Sequence, residues 1–291
     1  MMFARSFLLV AVTLAASVDT FAQEKEQPTA VTISIPSKGL ILFDAKTNDK
    51  ATGTFVLDNG NIFGTIISAD FARQLGLEPV ENKPYDLTLD IGGQAFSLTA
   101  RVGEAPNNWM SNSLKRKYHC LVGYDFFVKY LVTIDYPAAQ LTIAPYPANP
   151  EETKKGINAA AILDFEYVEH AALVKSVIHK SKEEKLETHF FVDCGMTGNS
   201  ISKEFYAKLQ TPQKSGLTHA PLFSSGGTAW KNVPFFIIDV PAVQETARIA
   251  KKEVAGLLGR PFMERYRVTL DYQGKRIFIE KNPAAAEKKE K

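Results

Sequence analysis

Polar and apolar residues alternate along most of this chain in short runs, and few stretches keep a helical period. Residues 85–91 and 94–99 alternate on either side of Gly92-Gly93, the pattern of two strands joined by a tight hairpin turn. Residues 31–35 and 40–43 read as strands, with a turn at Asn48-Asp49-Lys50 leading into the apolar run 55–57. Later, 174–179 and 189–192 flank a charged turn at 180–185 in the same manner, and 131–136 faces 141–143. Two brief amphipathic runs, 67–75 and 201–209, each contain a serine, Ser68 or Ser202, placed to cap a helix. The pattern predicts a mainly β chain with a few short helices.

The two halves are copies of one unit. Phe55-Val56-Leu57-Asp58-Asn59-Gly60 comes back 135 residues later as Phe190-Phe191-Val192-Asp193-Cys194-Gly195. Leu121-Val122-Gly123 returns as Leu257-Leu258-Gly259 at an offset of 136, and Thr133-Ile134-Asp135-Tyr136 returns as Thr269-Leu270-Asp271-Tyr272 at the same offset. Asp58 precedes Gly123 by 65 residues and Asp193 precedes Gly259 by 66, so spacing is duplicated along with the motifs. An apolar run ending in Asp-x-Gly is a buried strand that delivers an acid into a turn closed by glycine. Turn chemistry alone accounts for one such aspartate, bonded to the amides of its own loop, but not for retention of the acid in both copies. Asp58 and Asp193 are therefore a candidate pair. Asp135 and Asp271 repeat too, at strand ends after threonine, where a structural hydrogen-bonding role is expected.

With 291 residues, 45% of them hydrophobic, the chain has material for about two domains with cores of their own. A net charge of +2, with acids and bases spread throughout, offers no footprint for nucleic acid and no polybasic membrane patch. The start of the chain reads as a secretory signal peptide over 1–22: a short basic region, an apolar run too brief to span a bilayer, then Thr20-Phe21-Ala22 before Gln23. No later segment is apolar for long enough to cross a membrane, so an exported protein, periplasmic or secreted, is expected. Cys120 and Cys194 sit in opposite units and are expected as buried free thiols, with a disulfide as the alternative. The unit boundaries are expected at 31–145 and 157–281. A proline-rich linker over 146–156 separates them, and a polar, disordered tail follows over 282–291.

Taken together, an apolar strand into Asp-x-Gly, then an apolar-apolar-Gly, a short helix and a strand-turn-strand resemble the aspartic proteases of the retropepsin and pepsin type. The resemblance is in particular to bacterial exported retropepsin-like proteins with two lobes in one chain, over about 31–281. It implies a mainly β fold of two pseudo-twofold-related acid protease lobes, a monomer with a pseudo-dimeric fold. It further implies that Asp58 and Asp193 activate a water to hydrolyse bonds in a peptide or unfolded protein substrate, with no cofactor. Asn59, Gly60, Cys194, Gly195, Gly123 and Gly259 would form the supporting loops.

The chain departs from the resemblance at the residues that serve the acids. Thr or Ser usually follows each aspartate and bonds across the pseudo-twofold axis; here Asn59 and Cys194 stand there, and a thiol is a weak partner. The symmetric interlock is not expected in its usual shape, which leaves open a protein that binds extended peptides in the same cleft without cutting them. Gly226-Gly227 is a candidate for a covering flap, while Gly92-Gly93 fits either a flap or an ordinary hairpin. His119, His170, His179, His189 and His219 lack the spacing of a helical metal site. No Gly-x-Ser-x-Gly surrounds Ser200 or Ser202, and Trp109 and Trp230 are expected in core or rim packing.

Overall fold

The structure, a computed structural model, describes residues 30–36, 39–104 and 117–281. The expected signal peptide, the expected tail and Trp109 lie outside the described residues. Strands are numbered β1 to β19 in chain order.

A first barrel closes in the order β2 (Leu42–Thr47), β3 (Ala51–Leu57), β7 (Cys120–Val122), β4 (Thr65–Ile67), β6 (Gln94–Val102), β5 (Pro84–Ile91). The pairing of Lys46 with Asp90 shuts it. A second barrel runs β11 (Ala171–His179), β12 (Lys185–Val192), β17 (Val254–Leu258), β13 (Ser200–Ile201), β16 (Thr228–Ile237), β15 (Leu217–Ser225). It shuts where Ser176 pairs with Ser225. Each barrel strand thus has its counterpart at the same place in the other barrel, and the duplication read from sequence is a duplication of topology.

Alternation explains the outer strands. Along β5 and β6 every second residue is buried, so Leu87, Leu89, Phe96 and Leu98 fill the first barrel while the residues between them face solvent. Strands that lead to the motifs differ. Phe55, Val56 and Leu57 on β3, and all five residues of β17, are buried in succession, because both faces of those strands are covered.

The barrels share a further sheet, ordered β1 (Val31–Ser34), β9 (Gln140–Pro145), β8 (Tyr130–Asp135), β18 (Tyr266–Asp271), β19 (Arg276–Lys281), β10 (Ala159–Val168). Its order reads the same from either edge. At the centre β8 meets β18 antiparallel with Thr133 opposite Thr269, whose hydroxyls lie 2.8 Å apart. The two units are therefore joined by backbone ladder and by a buried threonine pair.

Helices are few and short, among them α1 (Ala69–Gln74), α2 (Tyr124–Lys129), α3 (Lys203–Leu209), α4 (Pro241–Ala250) and α5 (Arg260–Met263). Ser68 caps α1 by accepting from the Phe71 amide at 3.2 Å, and Ser202 caps α3 by accepting from Phe205 at 3.1 Å. Between β9 and β10 the chain is pinned. Thr153 donates to Asp271 Oδ2 at 2.9 Å, and Arg276 pairs with Asp271 at 2.9 Å and with Glu151 at 3.3 Å. Asp271 and Asp135, whose Oδ1 accepts from the Ala138 amide at 2.9 Å, both take the structural part expected of them.

Candidate active site

Each Asp-x-Gly loop is hung from the apolar-apolar-Gly strand of its own unit. β3 runs parallel to β7 and β12 parallel to β17, so the Asp58 amide donates to Val122 O at 2.9 Å and the Asp193 amide to Leu258 O at 3.0 Å. Gly123 and Gly259 are required by close approach. A Cβ on Gly123 would stand 2.5 Å from the Gly64 carbonyl carbon, and one on Gly259 would stand 2.7 Å from Met196 O. Neither glycine has a positive φ; what they permit is the crossing of the post-aspartate loop over the strand end.

The two loops meet tip to tip across the junction between barrels. A Cβ on Gly60 would come within 2.6 Å of Asp193 Oδ1, and one on Gly195 within 2.8 Å of Asp58 Cβ. Each glycine thus lies against the opposite aspartate, and each carboxyl acts on the titration of the other. Gly195 N donates to Asp193 Oδ1 at 2.7 Å and Asn61 N to Asp58 Oδ1 at 3.1 Å.

Electrostatics separates the partners. Asp193 is only 6% exposed, and burial, followed by the charge of Asp58, raises its carboxyl well above the ordinary value. Asp58 keeps more of its surface open. Burial raises it as well, against the lowering influence of its bonds to Asp193, Gly60 and Asn61. Nearby, burial and the charges of Asp58 and Cys120 push the Tyr118 phenol up to about 12.

Asn59 and Cys194 form an interlock without the usual symmetry, as their side chains led one to expect. Asn59 Nδ2 donates to Val192 O at 2.7 Å, and its Oδ1 accepts from the Cys194 amide at 2.7 Å. From the other side, Cys194 Sγ donates to Leu57 O at 3.8 Å. The carboxamide makes two short bonds where the thiol makes a weak one, so each loop still grips the strand that feeds the other. A third bond was not anticipated from sequence. Asn59 Nδ2 also donates to Tyr272 OH at 2.9 Å.

Among solved structures, the chain is similar to the crystal structure of aspartic proteinase from Irpex lacteus. They share 10% identity with a TM-score of 0.52, over 88% of this chain and 98% of that one. The fold is that of a two-lobed aspartic proteinase. No protein-family model matches the chain. No curated protein matches it in sequence.

Within this aspartic proteinase fold, Asp58, Asn59, Gly60, Gly123, Cys194, Gly195 and Gly259 are brought to one place, whereas the candidate flap is not. Gly226-Gly227 turns between β15 and β16 with its tip packed on β10: a Cβ on Gly226 would stand 2.7 Å from Leu163 Cδ2, and Thr228 donates to Ala160 O at 2.9 Å. Gly92 takes the matching position against Val31 of β1. Both hairpins are therefore struts from a barrel to the shared sheet, and their anchored tips are not free to fold over a substrate. Cys120 and Cys194 are buried free thiols, as expected. Trp230 is half-buried, its ring tilted against those of Phe223 and Phe262, with its indole N–H donating to Tyr266 OH at 3.0 Å. Among the described residues no cluster of His, Cys, Asp and Glu could hold a metal ion.

Proposed function

We propose that this protein is an exported aspartic-type endopeptidase that cuts extended peptides with a water held between Asp58 and Asp193. The observation that carries the reading is the tip-to-tip meeting of the two acids, each lying against the opposite loop's glycine, where burial and mutual repulsion favour a single shared proton. Burial assigns that proton to Asp193 and leaves Asp58 as the base. Water then attacks the peptide carbonyl carbon while its proton passes to Asp58 and the Asp193 proton passes to the carbonyl oxygen. When the resulting diol collapses, the C–N bond breaks, the leaving amine takes the proton from Asp58, and a diol hydroxyl returns one to Asp193. No covalent enzyme intermediate and no cofactor enter this cycle.

The interlock supports the same reading. A cleft that binds without cutting was suggested by the altered Asp-Asn-Gly and Asp-Cys-Gly loops, yet both loops are gripped across the junction by the residues that replace threonine. Export and relation to the bacterial two-lobed retropepsin-like proteins rest on the leader pattern over 1–22 and the duplicated motifs. Digestion of an unfolded protein in water enriched in oxygen-18 tests the chemistry. One labelled oxygen in each new C-terminal carboxyl supports hydrolysis of the peptide bond, and intact substrate at every pH from about 3 to 7 contradicts it. N-terminal sequencing of the exported chain tests the address, with Gln23 expected near the first position.

A further inference from the structure

Part of the grip on the aspartate loops comes from a side chain outside both of them. Asn59 is fully buried and offers two N–H donors and one oxygen. Val192 O takes the first donor at 2.7 Å and the Cys194 amide bonds the oxygen at 2.7 Å, which also settles the orientation of the amide. Reversed, it would set donor against donor at Cys194 and oxygen against oxygen at Val192. A threonine hydroxyl has one donor and acceptor lone pairs, enough for two such bonds and with no donor to spare. Asparagine brings one donor more, and a buried donor without an acceptor is costly. Tyr272 OH accepts it at 2.9 Å.

We propose that Tyr272 is a positioning residue for the Asp58 and Asp193 carboxyls, made necessary by the asparagine at 59. Its meaning for catalysis rests on the peptidase reading; its test does not. Tyr272 is built to hold still. Its ring packs against Phe127, Phe165 and Tyr167, with centroids 5.6, 5.2 and 5.7 Å away. Its amide donates to Tyr146 OH at 2.8 Å, and that hydroxyl donates in turn to Phe127 O at 2.9 Å. The counterpart in the duplicated unit behaves otherwise. Tyr136 is buried near Cys194, and among the described residues its hydroxyl has no hydrogen-bond partner. A carboxamide recruits the tyrosine beneath it and a thiol does not.

The test is a carboxyl titration by NMR on the full chain labelled with carbon-13 aspartate, comparing wild type, Y272F, Y136F, N59T and N59T/Y272F. In Y272F the upper apparent pKa of the pair should fall by about 0.5–1 as the loosened loops admit water, since a net hydrogen bond is worth about that much. N59T/Y272F should titrate like N59T, because threonine has no surplus donor, and Y136F should titrate like wild type. A merely structural tyrosine would disturb both backgrounds alike. Wild-type titration in Y272F, or the same displacement between N59T and N59T/Y272F, overturns the proposal. If Y272F does not fold, folding of N59T/Y272F supports it and failure of both overturns it. A wild-type chain that cuts nothing while these titrations come out as expected removes the peptidase reading and leaves the role of Tyr272 in place.

Discussion

Gly60 lies against the carboxyl of Asp193 so closely that a Cβ would come within 2.6 Å of Oδ1, with Gly195 in the matching position against Asp58. The glycines of the two Asp-x-Gly motifs therefore serve the opposite unit's acid as well as their own turn. Gly60→Ala and Gly195→Ala should each force the carboxyls apart. Overpacking of this kind costs about 1–3 kcal/mol, and a misplacement near 1 Å costs roughly 100-fold in rate. Thermal melts beside peptide hydrolysis check both, and a variant with unchanged turnover would contradict the tip-to-tip geometry.

The pair should make stability fall as pH rises. Burial raises Asp193 well above its ordinary 3.8, so the folded state holds a proton that the unfolded chain releases. Its contribution is fully present below 3.8 and is lost as pH climbs through the raised folded value. Asp193→Asn removes this dependence. The variant should melt higher than wild type at about pH 7, with the gap closing below about pH 4, as melts across that range would report.

Much of this arrangement was legible in the chain because it is local and repeated. Asp58 with Gly60, and Leu121-Val122-Gly123 with its copy, carry their conformational demands within a few residues, and so do the Ser68 and Ser202 caps. What sequence could not supply is the identity of distant neighbours. Turn chemistry identified Gly226-Gly227, with φ of +54° and +74°, but not the β10 backbone its tip rests on. The bond from Asn59 to Tyr272 joins residues 213 apart, and the repeated Asp-Tyr strand end was its only trace. The length and extra donor of the asparagine fit the space between the loops.

Cys120 and Cys194 should be silent toward thiol reagents while the protein is folded. Both are buried, and burial pushes both thiols well above their ordinary value, so little thiolate is present or reachable at about pH 8. Two thiols should react on denaturation without reductant. Reaction of either in the native state would place it nearer the surface than the fold does.

Cys194→Thr should stabilise the interlock and Asn59→Ala should break it. A hydroxyl in place of the 3.8 Å thiol contact to Leu57 O adds about 0.5–1.5 kcal/mol. Removing the Asn59 carboxamide leaves the Val192 carbonyl and the Cys194 amide unpaired in a buried site, a loss of about 1–3 kcal/mol for each. Denaturant unfolding of the two variants measures both effects.

The most direct test of the central claim is the pH profile of kcat/KM for cleavage of an unfolded protein or peptide library by wild type, Asp58→Asn and Asp193→Asn. An acidic optimum where the pair holds a single proton, a decline as both carboxylates ionise, and a loss of about 10²–10⁴-fold in each variant are expected. Cleavage that survives in both variants, or a wild type inert across the whole range while the pair titrates as one coupled unit, would contradict it.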